Sequence, residues 1–324
     1  MDRPRRGQSS QQPQQWRHNS TKSQREKRLE RFSKPPPATN TVEDFGFVSK
    51  GDERLKDHRN QEQYHKHITK KYLSFCATSG GPDSLESDFA ALSLTPVSRP
   101  ASSHHPSQRP EASKNVVYND ARNAELTSIL LSMRKLREGI TASRRIDAFA
   151  VDVFKQHIRA AILVQQIESY HSALLHLLYE FHALNPLNPA DLQEFASYLM
   201  LHHAARMEDY TAAYAVRNEF AVGERRILQV VSALVHGNWW SWRVARNKVD
   251  QYVGRLMDFA EERMRALMLK SIGATYFKVE RKWLEIVAGM DWEKLRAQFE
   301  VGWELDAATG MVTVRRPKMR GKPG

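Results

Sequence analysis

The stretch ATYFKVERKWLEIVAGMDWEKLRAQFEVGWELDAATGMVTVRR, residues 274–316, decides how the chain is read. ATYFKV (274–279) is short and β-like. ERKWLEIVAG (280–289) has helical spacing, and Gly289 suits the left-handed residue that ends a helix. Asp291 stands where an N-cap would open a second helix, WEKLRAQFEV, with Leu295 and Phe299 facing inward. WELDAATGMVTVRR (303–316) reads as a hairpin. Trp303 and Leu305 alternate on one arm, Val312 and Val314 on the other, around a turn at Ala307 to Gly310.

Short strand, helix, helix and hairpin is the order of a winged helix, predicted over 273–316 and followed by a basic tail at 317–324. In such a module the second helix can enter a major groove. Here its outer positions, Glu293, Lys294, Arg296, Gln298 and Glu300, are mixed in charge, whereas a dedicated groove reader is more basic. The edges are better candidates for nucleic acid, by phosphate contact: Lys278, Arg281 and Lys282 on one side, Arg315, Arg316, Lys318, Arg320 and Lys322 on the other. A winged helix used for protein contact is the competing reading.

Upstream, residues 118–272 read as successive amphipathic helices joined by short loops, a stack of helical hairpins. Leu126, Leu130, Met133, Leu136 and Ile140 form one stripe; Ile167, Tyr170, Leu174, Leu177, Leu178 and Phe181 form another. Asn188 and Pro189 make a helix start, and Gly237 a helix stop. Residues 251–272 read as one long helix, with Val253, Leu256, Met257, Ala260, Met264, Leu267, Met268 and Ile272 in its stripe and Glu261 placed to pair with Arg265. GNWWSW (237–242) sets Trp239 and Trp242 on one helix face as interlayer packing and leaves Trp240 as a candidate partner contact. The fold class is therefore mainly α: stacked helical hairpins, a TPR-like right-handed superhelix, capped by a C-terminal winged helix and preceded by a long disordered region.

That region is assigned to residues 1–115, from stretches rich in Gln, Ser, Pro, His and Arg that bury too little apolar surface to order themselves. It holds two islands of helical pattern, 22–32 and 53–75. The second has Tyr64, Ile68, Tyr72 and Phe75 on one stripe, and Tyr64, Ile68 and Tyr72 are candidate partner contacts. The formal charge of +12 belongs to the ends: residues 1–115 hold 20 Lys+Arg against 13 Asp+Glu, residues 315–324 hold five cations, and the middle is neutral. Basic ends attract polyanions without making the middle a reader of sequence. Cys76 is the single cysteine, which excludes an intrachain disulfide and points to a reducing compartment. The start MDRPRRGQSSQQPQQW lacks an apolar core, and no run suits a membrane span, so a soluble intracellular protein is expected.

Helical hairpins running into a C-terminal winged helix resemble the PCI-type proteins of the proteasome lid, the COP-nine signalosome and initiation factor three. Several stretches are most similar to the SAC/GANP branch linked to messenger-RNA export and splicing: MRKLREGITASRRIDAFAVDVFKQHIRAAI (133–162), SALVHGNWWSW (232–242) and ERMRALMLKSI (262–272). The opening motif departs from the branch's D-L-T-x-Q wording, and residues 271–306 also resemble the end of subunit k of initiation factor three. The resemblance, over about 118–316, implies a nuclear, non-catalytic scaffold that pairs with another PCI-type subunit, or alternatively a stoichiometric subunit of the lid, the signalosome or initiation factor three.

No nucleophile elbow, Walker A, H-E-x-x-H or dinucleotide-binding glycine pattern is present, so neither an enzyme nor a cofactor or small-molecule substrate is expected. His171, His176, His182, His202 and His203 are spaced by five, six and one within their two groups, which sets no pair on one helix face with a carboxylate. They are read as surface or hydrogen-bonded core histidines, with no metal.

Overall fold

Several described helices begin where a short polar side chain satisfies a free backbone N–H, and the segments between those caps set the architecture. A computed structural model describes residues 45–78 and 112–316, all within one unit that starts at Phe45. That unit is mainly helical and carries a small three-stranded sheet near its C-terminal end.

Two 3₁₀ turns, Val48–Lys50 and Glu53–Lys56, lead into α1 (His58–Thr78), which packs along α2 (Ala112–Ser143). Leu55, Tyr64, Ile68 and Phe75 are buried there. Gly139 makes the close approach possible, because a Cβ at that position would lie 2.7 Å from both the Cβ and the carbonyl oxygen of Leu55. Polar groups lock the same seam. Arg145, itself buried, donates to the Gln61 side chain, to the His58 carbonyl and to Glu62, and Gln61 donates to the Leu55 carbonyl and Ser143. The helical pattern expected at 53–75 is thus present as α1, the residues from Phe45 up to it are ordered where disorder is expected, and the helical region opens at Ala112 rather than 118. The apolar stripe on α1 is satisfied within the chain; its polar composition hid this, because only one face needs to be apolar for a two-helix seam. The helix expected at 22–32 lies outside the described residues.

The stack continues through α3 (Ala148–Leu163) and α4 (Ile167–Leu175), the latter running on through a π-helical turn, His176–Phe181, to His182–Leu184. Next come α5 (Pro189–Leu201), which also ends in a π turn, His202–Arg206, then α6 (Tyr210–Glu219), α7 (Arg225–Val235) and α8 (Trp239–Arg246). Asp147, Asn188, Asp209 and Asn238 each accept from a backbone N–H in the first turn of the helix they open. Gly237, at φ 61°, turns the chain out of α7, a conformation that side chains with a Cβ resist. Most consecutive helices pack on one another, and Phe154, Tyr170, Phe195 and Tyr198 are buried among them.

The helix expected at 251–272 is in fact two, α9 (Gln251–Asp258) and α10 (Glu261–Thr275). Asp258 closes the first and holds both Arg246 and Arg255; Glu261 and Glu262 open the second, where the helix dipole favours carboxylates. The stripe could not reveal the break, since Leu256, Met257, Ala260, Met264, Met268 and Ile272 stay buried across it. Leu267 alone falls off the stripe, 39% exposed.

The chain then forms β1 (Lys278–Glu280), α11 (Arg281–Ala288), α12 (Trp292–Phe299), β2 (Glu304–Asp306) and β3 (Met311–Thr313). The strands are antiparallel in the order β1-β3-β2, with Val312 opposite both Val279 and Leu305. Val279, Leu284, Ala288, Trp292, Leu295 and Val312 are its buried residues. Gly289 ends α11 at φ 64°, as expected. Asp291 occupies the N-cap position but makes no cap bond; the Glu285 carboxylate accepts from the Trp292 N–H instead, and Asp291 faces Lys294.

Candidate interface on the terminal unit

The terminal unit is fastened to the stack at the C-terminal end of α11, where free carbonyls need donors. Arg243 donates to the carbonyls of Ile286 and Val287, the Trp239 indole N–H to Val287 at 2.7 Å, and Arg265 to Ala288. Trp239 and Trp242 stack with ring centroids 5.3 Å apart, and the guanidinium groups of Arg243 and Arg265 lie over the Trp239 ring. Both tryptophans are buried as expected, and the expected Glu261–Arg265 pair forms. Trp240 is 66% exposed on the same helix.

Outside this joint, the terminal unit turns apolar side chains to solvent. Tyr276, Phe277, Trp283 and Ile286 are 42%, 49%, 39% and 72% exposed. The rings of Tyr276 and Trp283 meet at 5.7 Å, and the Arg315 guanidinium lies 4.6 Å from the Phe277 centroid. The Arg315 N–H also donates to the Phe277 carbonyl, which fixes the strand end beside the ring. A groove of about 570 Å³ runs beside Ile286, lined also by Lys282, Glu285, Met290 and Lys294.

The sequence-derived candidates divide around this surface. Lys278, Lys282 and Arg315 are exposed and make no salt bridge among the described residues. Arg281 is paired with Glu285 and Arg316 with Glu304, so neither is free for a phosphate without exchange. The Trp292 N–H and then Arg281 hold the Glu285 carboxyl below its usual range. The Asp306 carboxyl is likewise lowered, by the Thr309 hydroxyl and the Ala308 N–H of the hairpin turn. Lys318, Arg320 and Lys322 lie outside the described residues. Of the partner candidates, Tyr64 and Ile68 are buried against the chain itself and Tyr72 is half-buried, so that group is corrected: only Trp240 presents a broad free face. Sequence reasoning missed Tyr276, Phe277, Trp283 and Ile286, taking them as ordinary strand and helix positions. The available signal was that Tyr276 lies out of strand step with Val279, and Trp283 and Ile286 out of helical step with Leu284 and Ala288; Phe277 is in step with Val279 and gave no such signal.

The histidines gather more than their spacing suggested. His171 stacks on His202 at 4.3 Å, and His203 lies edge-on to His171. The Tyr170 hydroxyl bonds His202 Nδ1 at 2.8 Å. Burial, then His171, His203 and Arg206, push the His202 pKa down to about 3. His157, buried near Arg137, is also pushed down to about 3, chiefly by burial. Among the described residues no group of three or more His, Cys, Asp or Glu is arranged to hold a metal ion, and no helix is long and apolar enough to cross a membrane. Comparison with protein-family models and with curated protein sequences finds no match to this chain.

Proposed function

We propose that the chain is a non-catalytic PCI-type scaffold subunit, with a helical-repeat superhelix over 112–275 and a winged helix over 276–316, acting in a nuclear messenger-RNA processing or export complex. It pairs with another PCI-type subunit and touches RNA or DNA phosphates through its basic ends. The observation that carries this reading is the junction of two architectures. A helical stack continues without a linker into a β1-α11-α12-β2-β3 unit whose sheet order is β1-β3-β2, and Trp239, Arg243 and Arg265 clamp the two together. A clamp of that kind suits a scaffold, since it presents the small unit at a fixed angle to whatever binds the stack. The mixed charge of α12 supports edge contact with phosphates over insertion into a major groove.

The test is affinity purification of the tagged full chain from nuclear extract, followed by mass spectrometry. RNA-processing proteins and a second PCI-type subunit are the expected yield. Recovery of lid, signalosome or initiation-factor subunits without RNA-processing proteins would reject the reading. A salt titration of RNA binding checks the tails, comparing the full chain with one lacking 1–44 and 317–324. Removing all of 1–115 would also strip α1 from α2 and confuse the result. Phosphate contact by the tails requires the truncated chain to bind more weakly and with a shallower salt slope.

A further inference from the structure

We infer that the surface around β1 and α11 is a stacking site for single-stranded nucleic acid, with Tyr276, Trp283 and Phe277 as ring platforms and Lys278, Lys282 and Arg315 as phosphate contacts. This rests on the nucleic-acid part of the function proposed above and specifies the ligand and the site.

The argument starts from where aromatic rings are found. In the stack most large rings, such as Phe154, Phe195, Tyr198 and Trp242, are buried, and Tyr179, Tyr214 and Trp240 are the exposed ones. In the terminal unit three rings are about half in water although the unit has a buried core of its own. Tyr276 lies on extended backbone and Phe277 at the bend that leads into β1, and the two rings meet different partners. Tyr276 reaches Trp283, and Phe277 lies under Arg315. Two ring platforms therefore lie at the start of β1, and among the described residues β1 is an edge strand with no neighbour beyond it. Every base has a π face, so rings set beside cations bind single strands with little regard to sequence, and an arginine lying on a ring adds to the stack.

Charge favours the same occupant. The carboxylates of this surface are largely engaged: Glu285 with Arg281 and the Trp292 N–H, Glu304 with Arg316, Asp306 with its own turn. Glu280 is the exposed acid that remains, against Lys278, Lys282 and Arg315. A duplex fits less well. It would conceal its base faces from these rings, and α12, the helix placed for a groove, exposes Glu293 beside Lys294 and Arg296.

The experiment is fluorescence anisotropy with labelled poly-uridine and a blunt RNA duplex of matching length, using the full chain. The wild type is expected to prefer the single strand. The double variant Tyr276→Ala/Trp283→Ala should weaken that binding by roughly tenfold or more. Tyr276→Phe/Trp283→Phe, which keeps both rings, should restore most of it, and unchanged thermal unfolding of both variants controls for folding. Lys278→Glu/Lys282→Glu should weaken binding and flatten its salt dependence. Salt-dependent binding that ignores the alanine pair, or equal affinity for the duplex, overturns the stacking site while leaving phosphate contact standing. If no oligonucleotide binds, and the alanine pair instead releases a protein partner, the surface is a protein dock and both readings fall.

Discussion

The helical stack and the terminal unit differ in how much of their aromatic surface they bury. Between the layers of the stack, Phe154, Tyr170, Phe195, Tyr198 and Trp242 are each at most 2% exposed. In the terminal unit Trp292 is buried to the same degree, yet Tyr276, Phe277 and Trp283 stand in water. A stack buries rings because each layer is covered by the next on two sides. A unit of two short helices and three strands of three residues has no second layer, so rings beyond its small core remain outside unless a ligand covers them. Most large rings of the stack serve its stability, with Tyr179, Tyr214 and Trp240 the exposed ones, whereas the terminal unit leaves three rings together for contact.

The hardest test of this contrast removes one buried ring from each region. Phe195→Ala in α5 and Trp292→Ala in α12 should each cost about 3–5 kcal/mol. Their scope should differ. Loss of Phe195 ought to lower the global unfolding midpoint, whereas loss of Trp292 ought to release amide protection mainly over 276–316. Hydrogen exchange read by mass spectrometry separates the two. Equal spread of deprotection from both variants would mean that the Trp239–Arg243–Arg265 joint makes the regions one cooperative unit.

A second test uses acid. His157 and His202 have pKa values near 3 in the fold and about 6.5 when unfolded, so the unfolded chain takes up protons that the folded chain refuses. Stability from these two is full above about pH 7 and falls as pH drops toward 3. Between pH 7 and pH 5 the loss is on the order of 2–4 kcal/mol for the pair. Both residues lie in the stack, in α3 and the π turn after α5. The drop, followed by urea unfolding, should therefore shrink in His202→Gln and leave local exchange in 276–316 unchanged.

How much could be read beforehand follows the same division. The cap at Asn188, the stop glycines, the Glu261–Arg265 pair, the buried Trp239 and Trp242 and the order of elements after Thr275 are local signals, and the sequence carries local signals openly. What it concealed were meetings between distant segments. Nothing near Tyr64 announces that Gly139 will let Leu55 approach α2, and no spacing rule brings His171 onto His202. The exposed rings were hidden for a related reason: pattern tells which residues alternate, not which layers exist to cover them.

The N-terminal seam gives a third, smaller test. Gly139→Ala would push a methyl group against the Leu55 backbone, which a flexible side chain cannot relieve. A cost of about 1–3 kcal/mol is expected, as for other overpacked contacts, and it should fall on the docking of 45–78. Limited proteolysis ought to cut that segment sooner, with the midpoint of the stack moving less than its protection does. A stack that melts as a whole would show that α1 is an integral layer rather than a clasp.

The smallest effect lies within one turn of α8, where the contrast between buried and exposed rings is compressed into neighbouring residues. Trp240→Ala should change stability by no more than about 0.5 kcal/mol, because the ring has most of its surface in water already. Trp242→Ala, two residues on, should cost about 3–5 kcal/mol. Trp242→Phe is the finer probe. It loses buried area but also removes an indole N–H that is buried with no hydrogen-bond partner, and the two changes oppose each other. A cost well below that of the alanine variant, measured by chemical denaturation, would show that Trp242 contributes stacking area and not polarity. That would leave Trp239, whose N–H holds the Val287 carbonyl, as the ring that ties the stack to the terminal unit.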